Sequence, residues 1–426
     1  MMAFTLFAIF FILLLLGAPI VFAIGVGTAF ALLVGGIPLE VLPQKVFSGL
    51  DNFPYLAVPL FVLAGMLMET GGISKRIVEL SNALVGHIRG GMGMVVMVAT
   101  IFFSDISGSS AADTAAIGSI MIPAMKKRGY PPNFSAALVT AAGGMGVLIP
   151  PCLTMVVFGS LTNTSIGALF LAGFVPGISM GIILMILTYI IARKRNYPRE
   201  ERANFQQLLR AGKRSFLSLF MGVIILGGII LGIFTATEAA AVAVIYGFFL
   251  SVVFYREIKI TQLPKILWDA ATVSGIVMLV VGISYGFGWV IAKEMIPMKM
   301  AEFMTHLPGG KIVFLFAVNV LLLIMGMFFD ASLSVIVLIP ILFPVAVKLG
   351  LDPVHFGTFV VMNLGIGFTT PPYGISLFIA SGIAKIPMSS IIKPILPYIL
   401  AMIGFLLVVT YVPWFSLVLP KLLMGY

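Results

Sequence analysis

The chain has 426 residues, of which 61% are hydrophobic and 9% charged, with a formal net charge of +10 and a mean hydropathy of +1.18. A soluble domain carries about a quarter charged residues, so a soluble enzyme is excluded, and the apolar runs that recur from Ala3 to Leu419 indicate a polytopic helical membrane protein. The single cysteine, Cys152, excludes a disulfide framework, a cysteine-ligated zinc site and an iron–sulfur centre, and the positive residues lie between apolar spans, which argues against nucleic acid as a partner.

In chain order, residues 3–36 read as two short helices broken at Gly17-Ala18-Pro19; one long kinked helix is the alternative, and it would move the N-terminus to the other side. No basic stretch precedes the first apolar run, so no cleavable signal is expected. Residues 73–89 set Lys75, Arg76, Glu79, His87 and Arg89 among apolar positions, the pattern of an amphipathic helix lying at the cytoplasmic surface as a brace. Residues 92–125 have His87 and Arg89 before them and Lys126, Lys127 and Arg128 after, so both ends are expected inside. So short a segment with both ends on one side is a re-entrant hairpin, and its middle is the polar run from Ser104 to Asp113. A helix interrupted by glycine and proline at residues 143–151 follows, then residues 176–192 entering from outside.

The densest positive cluster, residues 193–214, is opposed only by Glu200 and Glu201 and is placed in the cytoplasm. From that anchor residues 216–234 run out, 238–255 return and 268–291 run out again. A second hairpin is expected around Asp330-Ala331-Ser332-Leu333-Ser334, opening outward, and a second interrupted helix at residues 365–372. His87, His306 and His355 fall at expected membrane boundaries and read as interfacial; they assemble neither a metal site nor a catalytic triad. There is no Walker motif, so direct ATP drive from this chain is excluded.

Laid on itself at an offset of 221, the chain pairs Pro43 with Pro264, Pro123 with Pro344, Lys127 with Lys348, Pro132 with Pro353 and Pro150-Pro151 with Pro371-Pro372. Gly144 and Gly146 meet Gly365 and Gly367, and Pro176 meets Pro397. An indel is expected near residues 102–107, which resemble residues 327–332 at an offset of 225. In the threading above the two units are inverted, the sequence pointer to a secondary transporter with its site at the membrane midplane.

Serine and threonine hydroxyls and carbonyls freed by proline are hard oxygen ligands, so the two symmetric breaks with their hairpins make two oxygen cages suited to Na⁺, while half-helix N-termini offer positive dipole ends to an anion. Asp105, Asp113 and Asp330 are the deepest acids. Each is read either as a functional carboxylate or as a helix N-cap. Glu238 reads as a plain helix-start residue.

The run from Phe103 to Gly118, the 143–151 break and Thr369-Thr370-Pro371-Pro372 together resemble the large membrane subunit, DctM type, of tripartite ATP-independent periplasmic (TRAP) transporters, over essentially the whole chain. The resemblance implies an all-α fold with an inverted repeat, two re-entrant hairpins and two broken helices. It divides the chain into scaffold and cytoplasmic arm (1–90), first transport unit (91–175), scaffold and second arm (176–307), second transport unit (308–395) and a C-terminal helix (396–426). It further implies sodium-coupled import of an organic acid, from the C4-dicarboxylate or sialic-acid class with a lean toward the latter, by an elevator mechanism in the bacterial inner membrane.

Its implied partners are a separate four-helix DctQ-type membrane subunit, a DctP-type periplasmic binding protein and membrane lipids. One sodium would lie among Ser107, Ser109 and the backbone of Gly144, Gly146 and Pro150. A second would lie among Asp330, Ser334, Gly365, Gly367, Thr369 and Thr370, and the substrate would rest against Ser109, Ser110, Asp113 and Thr154. A binding-protein-independent sodium/carboxylate symporter of like architecture is the rival reading. A channel would not need two ion cages, and an enzyme would need a nucleophile–base pair or metal cluster that the sequence lacks.

Overall fold

The computed structural model describes residues 1–425. Among them every regular element is helical, and eight helices are long and apolar enough to cross a membrane. The chain turns at Gly17, φ +81°, between α1 (Met2–Leu15) and α2 (Ile20–Val34), so the N-terminal segment is two helices. A Cβ on Gly27 would stand 3.1 Å from the Leu6 carbonyl oxygen; glycine lets the pair close.

Next come α3 (Val41–Leu50), α4 (Ala57–Thr70) and the arm α5 (Ile73–Val85), whose buried Ile73, Ile77, Leu80 and Ser81 recur at helical spacing. Ion pairs Arg76–Glu257 (3.3 Å), Arg214–Glu79 (3.6 Å) and Arg128–Glu200 (2.8 Å) gather on one face the segments that the charge rule assigns to the cytoplasm. The N-terminal amine lies 3.8 Å from Glu294, just past the outward end of α13 (Leu263–Lys293), as the two-helix reading requires.

The first hairpin is α6 (Gly91–Ser107) and α7 (Ser110–Lys127), followed by the broken helix α8 (Pro132–Gly146) and α9 (Leu153–Thr162). Then α10 (Ile166–Lys194), α11 (Phe205–Ile230) and α12 (Ala236–Phe248), which runs on through a π-helical turn, lead to α13 and the second arm α14 (Ile296–His306). The second hairpin is α15 (Gly310–Phe328) and α16 (Ala331–Lys348), and the second broken helix is α17 (Pro353–Gly367) and α18 (Ile375–Ala384). Helices α19 (Ser389–Tyr411) and α20 (Trp414–Met424) close the fold. Glu238 and Thr235 form a reciprocal capping box at the start of α12, the helix-start role expected of the acid.

Four expectations are corrected. The indel near residues 102–107 is absent: α7 and α16 begin at residues 110 and 331 and end at 127 and 348, and α8 and α17 match likewise, all at 221. The slack sits at the hairpin base, where the left-handed caps Gly90 and Gly309 are 219 apart. Residue 176 is not a helix start, because α10 is capped by Ser165 and runs through Pro176, its Gly173 and Gly177 packed on Leu148 and Ile149 in the first break. Residues 396–426 are not one helix but the larger part of α19 and a separate α20, divided at Val412-Pro413. His355 is not interfacial: it is 2% exposed, with Nδ1 3.2 Å from the Ser416 hydroxyl and Nε2 3.1 Å from the Thr410 carbonyl oxygen, because α20 folds back over the first turn of α17.

Candidate functional site

Each hairpin turns in two residues. At the first tip Gly108 adopts φ +60° and ends α6, and Ser109, in extended conformation, caps α7 by accepting from the Ala112 amide. At the second tip Asp330 caps α16, accepting from the Ser332 amide at 2.8 Å. Ser109 and Asp330 are 221 apart, so they are counterparts; Asp105, which the 225 offset had paired with Asp330, instead packs against Gly222 of α11.

Each tip is joined to a break, the Leu153 amide donating to Gly108 O (3.4 Å) and the Gly374 amide to Met327 O (3.1 Å). A cavity of about 250 Å³ lies between the two tips. Ser109, Ser110 and Thr154 line it, together with Asp330, Ser332 and the α13 side chains Val273 and Val277.

Asp113 does not line this cavity. It sits one turn inside α7, 1% exposed, and its carboxylate accepts hydrogen bonds from the hydroxyls of Ser104 and Ser107 on α6. It faces back onto the partner arm of the hairpin. A Cβ on Gly146 would fall onto the Asp113 and Ser104 oxygens, so glycine there makes the space. Ser107, Gly146 and Asp113 therefore converge with Ser104, a residue the sequence reading left unassigned although it lies one turn before Ser107 on α6. The Ser109 hydroxyl accepts from its cap partner and keeps a second lone pair, while Gly144 faces α17 and Pro150 belongs to the loop behind the tip.

In the second half Ser334 is the counterpart of Asp113 and Gly367 that of Gly146. Ser334 is fully buried and its hydroxyl has no partner, whereas Thr369 and Thr370 both donate to Ile366 O at 2.8 Å and keep their lone pairs free. An orphaned buried hydroxyl and free oxygen lone pairs are groups that suit a hard cation. Asp330 stands at the tip, one turn from Ser334.

At both breaks the helical pattern shortens: the Leu148 amide bonds Met145 O (3.1 Å) and the Thr369 amide bonds Ile366 O (3.0 Å). The carbonyls of Gly144 and Gly365, which a continuing helix would have paired with those amides, are thereby freed. Among the described residues no group of three or more His, Cys, Asp or Glu could hold a metal ion.

Residues 7–415 match the profile of the tripartite ATP-independent periplasmic transporter, DctM component. The chain belongs to this family. It is 41% identical over 380 residues to the C4-dicarboxylate TRAP transporter large permease protein DctM of Pseudomonas aeruginosa, covering 89% of each chain. It is 39% identical over 416 residues to the sialic acid TRAP transporter large permease protein SiaM of Vibrio cholerae, covering 97% of each. To the 2,3-diketo-L-gulonate TRAP transporter large permease protein YiaN of Escherichia coli it is 36% identical over 400 residues, covering 92% of this chain and 94% of that one. In fold it is similar to the YdaH transporter of Alcanivorax borkumensis, with a TM-score of 0.65, 15% identity and 90% of each chain covered. The DctM family is one of permeases, not enzymes, and its member here is a multi-pass protein of the bacterial inner membrane.

Proposed function

We propose that this DctM-family permease imports an organic acid anion together with sodium ions, by carrying the tip-lined cavity across the membrane on a moving unit. One observation carries the reading: equivalent scaffold faces meet the two hairpins at different heights. The left-handed caps Gly72 and Met295 end equivalent helices at an offset of 223, which pairs Val62, Gly65 and Glu69 of α4 with Tyr285, Gly288 and Ala292 of α13. The α4 face meets the first tip, sharing a cavity with Ser107, Gly108 and Ser109. The α13 face meets Pro340 and Phe343, far down the α16 arm. From Asp330 to Pro340 is ten residues, or about 15 Å of helix.

Both tips therefore stand toward the cytoplasmic ends of the scaffold helices, an inward-shifted arrangement whose mirror image is the outward one. The unit proposed to move comprises both hairpins and both broken helices with α10 and α19, since the Gly173 and Gly177 face of α10 is packed on the first break and Gly144 lies against Met402 of α19. The residues that would hold sodium are Ser104, Ser107 and Asp113 with the first break, and Ser334, Thr369 and Thr370 with the second. Two sodium ions with one monovalent anion leave one net positive charge to drive uptake, each charge being worth about 2.3 kcal/mol per 100 mV.

The small membrane subunit and the periplasmic binding protein complete the system, as the family's tripartite name supports. Relatives for different acids match at similar identity, so succinate and N-acetylneuraminate are the first two substrates to assay. The test is uptake into proteoliposomes holding the permease with its small subunit, supplied with loaded binding protein under an inward sodium gradient. Accumulation that collapses when choline replaces sodium is expected. Unchanged accumulation overturns sodium coupling.

A further inference from the structure

A cavity of about 390 Å³ opens between α3, the end of α9, the outward half of α13 and the α16 arm. It belongs to the outer side, because α13 ends there beside the N-terminal amine bound to Glu294, while the opposite end of α13 follows the Arg76–Glu257 pair. Its lining holds Lys45, the hydroxyls of Ser48, Thr162, Ser284 and Tyr285, and the Trp289 ring, with no carboxylate among the described residues. Lys45 Nζ lies 5.8 Å from the centroid of the Trp289 ring and Lys293 Nζ lies 5.2 Å from it. Among the described residues neither lysine has an ion-pair partner. Ser284 is 1% exposed and its hydroxyl is unpartnered, a buried donor with nothing to bond.

The same scaffold face in the other half of the repeat lines the inner cavity, and there the signs reverse. Glu69, the counterpart of Ala292, is the one charged residue of that lining. An anion is thus attracted on the outer side and repelled on the inner side, which favours capture outside and release inside.

We infer that the outer cavity is a recruitment site for the carboxylate of the incoming acid, with Lys45 supplying the charge and Ser284 the hydrogen bond. The site lies on the non-moving face that the second tip reaches in the outward arrangement, so an anion held there meets Ser332 and the tip-lined cavity as they arrive. This inference rests on the import reading above. The same cation-and-hydroxyl chemistry would take a lipid phosphate, and the experiment separates the two.

The probe is a thiol reagent that itself carries a carboxylate, 2-carboxyethyl methanethiosulfonate, compared with the cationic trimethylammonium-ethyl reagent. Both are applied from outside to spheroplasts, and to proteoliposomes of phosphatidylcholine with or without phosphatidylglycerol. The permease carries Cys152→Ala and Ser48→Cys, the latter an exposed position on the cavity wall. The expected result is labelling from outside, with the ratio of carboxylate to cationic reaction rates falling about threefold to tenfold on Lys45→Gln. Ser284→Ala should slow the carboxylate reagent and leave the cationic one unchanged. A ratio indifferent to Lys45, no labelling from outside, or a carboxylate rate that falls with phosphatidylglycerol content overturns the proposal. Sodium dependence of uptake by the Cys152→Ala, Ser48→Cys parent is a separate readout: uptake unchanged when choline replaces sodium, with the ratio effect intact, counts against the coupling reading alone.

Discussion

Gly144 and Gly365, counterparts in the repeat, touch each other: a Cβ on Gly144 would stand 2.7 Å from the Gly365 carbonyl oxygen, and one on Gly365 2.5 Å from that of Gly144. A residue can meet its own symmetry mate only at the axis, so the pseudo-twofold axis passes through the crossing of α8 and α17. Neither glycine has room for a methyl group without moving backbone. Gly144→Ala and Gly365→Ala should each cost about 1–3 kcal/mol, read as a lower unfolding temperature of the purified permease, and uptake should fall with it. Gly227→Ala, where nothing lies within 4 Å, is the control and should change neither. Equal stability of all three variants would remove the crossing as a constraint.

Asp113 accepts from two hydroxyls across the hairpin and is the carboxylate proposed for the first sodium cage. Asp113→Asn keeps the shape and removes the charge that would balance a bound cation, so the sodium concentration giving half-maximal uptake should rise about tenfold or more, one such step being about 1.4 kcal/mol. Substrate affinity should change much less, since Asp113 does not line the cavity between the tips. A variant with altered substrate affinity and unaltered sodium dependence would return Asp113 to the substrate.

The hairpins and breaks were legible in the sequence because their residues have no cheap alternative at membrane depth: Ser104 to Asp113 cannot face lipid, and double prolines cannot continue a helix. What the letters misplaced was phase. The run Phe102-Phe103-Ser104-Asp105 resembles Met327-Phe328-Phe329-Asp330 closely enough to suggest an indel, yet the chain aligns by where a helix can be capped, and Ser109 and Asp330 are both good N-caps. The side on which Asp113 falls likewise depends on helix phase counted from that cap. Burial of His355 depends on α20, a partner remote in sequence and unpredictable from the residues around position 355.

The cap assignment makes its own prediction for Asp330. Asparagine caps as well as aspartate, whereas alanine loses about 0.5–2 kcal/mol. Asp330→Asn should therefore insert, fold and transport within a few-fold of the parent protein, while Asp330→Ala should unfold at lower temperature. Uptake by the Asn variant that drops to background with normal stability would show that the charge itself is needed, placing Asp330 at the second sodium.

The displaced register of the hairpins fixes which contacts should exchange during transport. Val62 and Ala112 now line one cavity at the first tip. Their counterparts are Tyr285, at 223, and Leu333, at 221, which line different cavities in this arrangement. Swapping the roles of the two halves brings Tyr285 and Leu333 together and takes Val62 and Ala112 apart, a slide of about 15 Å along the scaffold. In a Cys152→Ala background, the pair Val62→Cys with Ala112→Cys should cross-link in the inward arrangement and trap the permease there, abolishing uptake until the disulfide is reduced. The pair Tyr285→Cys with Leu333→Cys should cross-link only in the fraction that has moved outward, and in a four-cysteine protein one bond should preclude the other in any single molecule. Both bonds in the same molecule, read by mass spectrometry of the intact protein, would mean that the tips move independently and that no single body carries the site across.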